Sequence, residues 1–275
     1  MTSTVAAGNG YLSGGFYRGL ACGSKLVLIQ AANEDGHITD ASIFRALRWL
    51  QDHARELGVR VVSLSVAGDE PAHRSPIDLI VSALFNDGVT VIAAAGNDGI
   101  RKLVPPATAV DAITVGGIDD KNSFNRDEIE LWHSNYGDSY GLKKPEVVAP
   151  GIWVVAPLLP DTEEAERAAG LFESAEGGDD EAAAEIIERN LVTPNYKTVE
   201  GTSFAAPIVA SVVCCMLEAN PTLSPARVRE LLIESAIPVT GAPEERQGAG
   251  VVDAGEAVRL ALNADDRIPS SPSPF

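Results

Sequence analysis

Four short runs rich in Val, Ile, Leu and Ala, at Lys25–Ala31, Val59–Val66, Val89–Ala94 and Val110–Val115, alternate with helix-forming stretches in the first half of the chain. Runs that are apolar at successive positions must bury both faces, as parallel strands do when helices cover each side of their sheet. Between the first two runs, Ile43, Leu47, Leu50, Ala54 and Leu57 recur at spacings of three and four, predicting one buried face on a helix over Asp40–Leu57. The next helix is signalled at its start. Ser75 is placed to cap it, Pro76 suits the first helical position, Asp78 stands where a capping box is completed, and Gly88 stops it. Ile77, Ile80, Ala83 and Leu84 make its face. Further on, a helix is expected from about Phe204 to Ala219, and Ser224-Pro225 opens another carrying Val228, Leu231 and Leu232. Strand and helix in alternation predict an α/β fold around a mostly parallel central sheet.

Two strings carry chemistry. In Gly201-Thr202-Ser203-Phe204-Ala205-Ala206-Pro207, a glycine turn delivers a serine to the start of a helix. The unpaired amides and positive dipole end there favour the negative charge of acyl transfer. The alanines keep the helix thin beneath the site, and Pro207 is expected in the first turn. A serine before a helix is ordinarily a cap; the whole seven-residue string outweighs that reading. In Ala93-Ala94-Ala95-Gly96-Asn97-Asp98-Gly99, a strand ends in a turn that presents an amide side chain. A Gly-Asn turn after a strand is common by itself, but the amide NH₂ is a neutral donor suited to a transient oxyanion.

Together these strings resemble the active-serine and oxyanion-hole segments of the subtilisin-like serine proteases, the subtilase or peptidase S8 family. Weaker matches support it at Val61–Gly68, Pro145–Gly151, Pro221–Ser224 and Gly248–Asp253. The resemblance implies a three-layer α/β fold over residues 1–262. It also implies Ser203 as nucleophile and Asn97 as oxyanion donor, with a peptide cleft between Ser65, Val66, Ala67 and Gly68 on one side and Ala94, Ala95 and Gly96 on the other.

The rest of the expected machinery is missing. In the family an Asp-bearing strand comes first, then a His-Gly-Thr that opens a helix. Met1–Gly8 resembles the remainder of that helix, so the reading is of an N-terminally truncated member lacking its first, Asp-bearing strand. That strand would lie between Lys25–Ala31 and Val59–Val66, and without it a gap of unpaired backbone is expected. The four histidines do not replace the base. His37 is in a turn, His53 lies on the polar side of its helix, and His133 is in a segment the family uses structurally. His73, in a loop nearer the cleft wall, is the one to test. Two functions follow: a serine endopeptidase whose general base and orienting Asp are absent from these residues, or a catalytically inactive peptide-binding domain.

The chain has 39 acidic and 21 basic residues, for a net charge of −18. That balance argues against nucleic acid or an anionic membrane as partner, and no uninterrupted apolar stretch reaches the length of a membrane span. The partner implied is a peptide or protein substrate; the oligomeric state is not readable. Residues 161–189 hold much of the acidity and read as a solvated helical insertion, with helices over Glu163–Phe172 and Asp180–Asn190 that bury little. Residues 263–275, rich in Pro and Ser, read as a disordered tail. Cys22, Cys214 and Cys215 have no metal or disulfide spacing and are expected as small buried side chains. No metal ligand is assigned; the resemblance implies calcium for many relatives without pointing to residues here. It also implies secretion for many, although the first ten residues lack the pattern of a signal peptide.

Overall fold

In a computed structural model of the chain, residues 1–69 and 75–264 are described; His73 and the expected tail from residue 265 onward lie outside them. The elements begin with α1 (Thr2–Ala7), α2 (Asp40–Leu57), β1 (Val61–Leu64), α3 (Pro76–Asn86), β2 (Thr90–Ala94) and β3 (Ala112–Asp119). Helix α2 starts where sequence places it, because the Thr39 and Ser42 side chains cap each other's backbone N–H. Its Ile43, Leu47, Leu50 and Ala54 are buried, whereas Leu57 in the last turn is exposed. Ser75 caps α3 by accepting from the Ile77 N–H at 3.1 Å. Asp78 does not complete a box. It is buried under the Thr108 hydroxyl, at 2.9 and 3.0 Å, and burial pushes its carboxyl up.

Strands β1, β2 and β3 pair in parallel in that order. Beyond β3 lie the antiparallel β4 (Glu130–Leu131) and the parallel β7 (Val147–Pro150). Between these two, β5 (Gly137–Ser139) and β6 (Leu142–Lys144) form a separate hairpin. Alternation along β2 divides the core: Val91 and Ala93 face α2 and α3, while Ile92 faces the opposite layer.

The lower half of the chain adds β8 (Val154–Pro157), α4 (Glu163–Glu176), α5 (Asp180–Glu188), β9 (Leu191–Thr193) and β10 (Tyr196–Val199). After these come α6 (Thr202–Ala219), α7 (Pro225–Ser235), the short α8 (Glu244–Gln247) and α9 (Ala254–Asn263). α6 is long and apolar enough to cross a membrane by length and composition. It is instead the centre of the second helical layer, where Ala205, Ala206, Val209, Val212, Val213 and Met216 meet Ile92, Ile113, Val115 and Val147 of the sheet and residues of α7 and α9. A helix apolar on most of its faces is what a position packed against the sheet on one side and further helices on the other requires. The segment Gly248–Asp253 runs first along β7, with Val251 bridging Val148, before Asp253 caps α9.

Three expectations need correction. Lys25–Ala31 is not a strand: it carries no ladder pairing, and Leu26, Val27, Leu28 and Ile29 are 37–74% exposed. Among the described residues β1 pairs only with β2, and this run does not join its open edge. Residues 161–189 form two helices as expected but are not merely solvated. Ala168, Leu171 and Ala182 are buried in a satellite cluster with Leu158 and Leu191, against which Met1 and Ile186 pack. The cysteines are not core residues either. Cys22 is exposed, and Cys214 and Cys215 are half-buried where α6 meets residues 20–24.

Candidate active site

The parallel strands β1 and β2 stop together, Leu64 opposite Ala93, and their continuations leave the sheet at its C-terminal edge. This is where an open α/β sheet offers a crevice. Both continuations reach the first turn of α6. From the β1 side, the Ser65 hydroxyl donates to the Ser203 carbonyl at 2.8 Å. From the β2 side, Asn97 Oδ1 accepts from the Thr202 N–H at 2.9 Å and the Thr202 hydroxyl at 2.8 Å. The Thr202 Oγ1 in turn accepts from the Gly96 N–H at 3.1 Å.

Pro207 explains the first of these bonds. It lies in the second turn of α6, not the first, since the helix begins at Thr202 with Gly201 as its cap. A proline has no N–H, so the carbonyl four residues earlier, that of Ser203, loses its helical partner. Ser65 supplies the substitute. One missing donor in sequence thereby ties Ser65 to the backbone of the serine.

The second bond orients Asn97. A backbone N–H can only donate, so the atom facing Thr202 is the amide oxygen, and Nδ2 is what the exposed side chain turns outward. Gly201 sits beneath it with φ +125°, and a Cβ there would stand 3.4 Å from Asn97 Nδ2, so backbone and space both ask for glycine. In this turn the N–H groups of Thr202, Phe204 and Ala205 all have acceptors. Among the described residues none meets the Ser203 N–H. Ser203 is therefore not a side-chain cap. Its half-buried hydroxyl stands beside an uncommitted amide and an oriented carboxamide, at the positive end of a helix.

The structure thus brings Ser203, Asn97, Ser65 and Gly96 together. Val66, Ala67 and Gly68 continue from Ser65, and the Gly68 N–H is held by the Pro105 carbonyl at 2.7 Å. Ala94 and Ala95 lead out of β2, with the Ala95 N–H on Val115 at 3.0 Å. No base meets the Ser203 hydroxyl among the described residues. His37 is bonded within its own turn, and His53 stacks on Trp49 at 4.4 Å. His133 is the surprise. Its Nδ1 lies 2.8 Å from the Asn97 carbonyl, which places it against the loop that carries Asn97. Asn135, which sequence reading missed, binds the same loop. No local pattern announces either, since they are 36 and 37 residues from their partners. Among the described residues no group of three or more His, Cys, Asp or Glu side chains is placed to hold a metal ion, so no calcium site is assigned.

The chain is 28% identical over 264 residues to the serine protease AprX of Bacillus subtilis (strain 168), covering 92% of this chain and 55% of AprX. It is 26% identical over 259 residues to subtilisin BL of Lederbergia lenta, covering 94% and 76% of the two chains. Among solved structures, sphericase superposes with a TM-score of 0.69 at 21% identity over 91% of this chain and 75% of that one. The patellamide maturation protease PatA gives 0.65 at 22% identity, over 90% and 78%. The chain spans about half the length of AprX and of a cuticle-degrading serine protease of Arthrobotrys oligospora, 55% and 45% respectively. The model of the Subtilase family matches residues 1–250, and the chain belongs to that family, the subtilisin-like serine proteases.

Proposed function

We propose that this chain carries the nucleophile and oxyanion site of a serine endopeptidase acting on peptide or protein substrates. Ser203 Oγ adds to the scissile carbonyl carbon, and the carbonyl electron pair moves onto oxygen. That oxyanion is held by Asn97 Nδ2 and the Ser203 N–H. The Oγ–H proton passes to the general base and from it to the nitrogen, so the C–N bond breaks with the amine leaving neutral. Water hydrolyses the acyl-enzyme to free Ser203 and a carboxylic acid. The substrate strand lies between Ser65–Gly68 and Ala94–Gly96. The observation that carries the reading is the commitment of Asn97 Oδ1 to Thr202, which leaves the side-chain NH₂ to donate; Nδ2 and the Ser203 N would stand 3.4 and 3.7 Å from a Cβ on Gly201. The reading assigns the general base and its orienting carboxylate to no residue among these 275. It also treats residues 1–262 as one unit that carries 161–189 as an insertion.

The test compares the chain with a fusion in which a family-like segment, bearing the Asp strand and His-Gly-Thr, precedes Met1. The chain alone should not hydrolyse an unstructured protein in a Ser203-dependent way. The fusion should, and it should lose turnover on Ser203→Ala or on replacing the added His. Asn97→Ala in the fusion should lower kcat by about 100- to 1000-fold with little change in KM, a magnitude taken from a subtilisin rather than derived for this chain. That no base meets Ser203 among the described residues favours a second reading, an inactive domain that binds peptides in the same cleft. A cooperatively folded fusion that binds peptide but stays inert would establish that reading instead.

A further inference from the structure

The loop that presents Asn97 leaves β2 at Ala94 and makes no further ladder contact. What holds it comes from a distant segment, Trp132–Asn135, that follows β4. Asn135 is buried, and it bonds the loop on both sides of Asn97, by its backbone before and by its carboxamide after. Its Oδ1 accepts from the Asp98 N–H at 2.9 Å and the Ile100 N–H at 3.4 Å, and its Nδ2 donates to Asp98 Oδ2 at 3.2 Å. Its own backbone N–H donates to the Gly96 carbonyl at 2.9 Å. The approach is so close that a Cβ on Gly96, itself at φ +105°, would stand 2.6 Å from Asn135 Nδ2. His133 completes the hold. The Asn97 carbonyl can only accept, so the facing Nδ1 carries the proton, and the ring packs on Trp132 at 3.8 Å.

We infer that Asn135, assisted by His133, is a positioning residue for the oxyanion donor. This rests on the reading of Asn97 as that donor. A hydrogen-bond donor lowers a barrier only if it is already aimed where charge will develop, and a misplacement of about 1 Å can cost about 100-fold. Thr202 fixes the side-chain end of Asn97, but it cannot fix the backbone from which that side chain projects. Asn135 fixes the neighbours Gly96, Asp98 and Ile100, and His133 fixes the carbonyl of Asn97 itself. Every hydrogen bond of the Asn135 carboxamide is thereby spent on this one loop. An ordinary core asparagine would tie together elements of the fold at large.

Nuclear magnetic resonance on the full chain tests the inference without turnover. Asn135→Ala should raise hydrogen exchange at the Asp98 and Ile100 amides at least about tenfold, leave the Ile92 and Val115 amides unchanged, and let the Asn97 χ1 couplings average over rotamers. The exchanged pair, Asn135→Asp with Asp98→Asn, restores a matching donor and acceptor and should recover both readings. In the fusion, Asn135→Ala should lower kcat by about 10- to 100-fold with KM within about twofold. That loss should largely vanish in an Asn97→Ala background. Should Asn135→Ala fail to fold, His133→Phe keeps the packing on Trp132, removes the bond to Asn97, and should likewise loosen the Asn97 side chain. A single Asn97 rotamer and unchanged exchange in these variants overturn the inference. So does a kcat loss that persists undiminished without Asn97. An inert fusion would count against the peptidase reading, while the loop measurements would still decide whether Asn135 positions Asn97.

Discussion

Lys25–Ala31 and Thr90–Ala94 are close in composition and opposite in fate. The first reads Lys-Leu-Val-Leu-Ile-Gln-Ala and remains unpaired with its large side chains exposed; the second reads Thr-Val-Ile-Ala-Ala and is buried between two parallel neighbours. Intrinsic preference for extended backbone is similar, so preference did not decide the outcome. A strand needs an edge to bond to and two apolar faces to cover it, and β2 has β1, β3 and both helical layers. Lys25–Ala31 bonds to no edge among the described residues, and neither layer covers its exposed side chains. The satellite cluster of α4 and α5 lies between these extremes, with a small apolar centre of its own but no share in the main core.

The widest gap is expected from truncations at matched positions. Ile92→Ala should cost about 3–5 kcal/mol in denaturant unfolding, through lost transfer energy and a residual cavity. Leu28→Ala should fall within about 0.5 kcal/mol of the parent. Equal costs would break the comparison, because Lys25–Ala31 would then have to pack in solution. In the fusion that supplies a strand, Leu28→Ala should become destabilising by about 2 kcal/mol as the run acquires a neighbour. If it stays silent there, the run is not a latent strand.

A smaller effect belongs to the helical pair. Leu171→Ala should cost about 1–2 kcal/mol, because its cluster is small and close to solvent, and exchange should rise in α4 and α5 but not in β2 or β3. A loss spread over the sheet would show that this cluster is coupled to the main core. Smallest of all is the pH response of the same pair. Glu185 sits between Arg167 and Arg189, and hydrogen bonds from these guanidiniums hold its carboxyl down at about 2, below the ordinary value of 4.5. A depressed folded value means that this contribution is present above pH 4.5 and is lost as the pH falls toward 2. The pair is solvent-exposed, so salt should weaken the response. Glu185→Gln should remove this part of the pH dependence while leaving β2 exchange untouched.

Sequence by itself determined a good deal. The periodicity of α2, the Ser75-Pro76 start of α3 and the apolar runs at β1, β2 and β3 are local patterns, so they were legible along with the α/β class. The two site strings were legible for the same reason: a glycine turn with its serine, or its asparagine, lies within seven residues. Tertiary structure decided what those residues could do. Ser65 and Ser203 are 138 residues apart, Asn97 and Thr202 are 105 apart, and Asn135 stands 37 residues from Asp98. Pro207 is visible in sequence as a missing donor, but only the fold reveals that Ser65 fills its place. Lys25–Ala31 was misread for the same physical cause. Whether an apolar run becomes a strand depends on a partner edge, and no residue within the run encodes that partner.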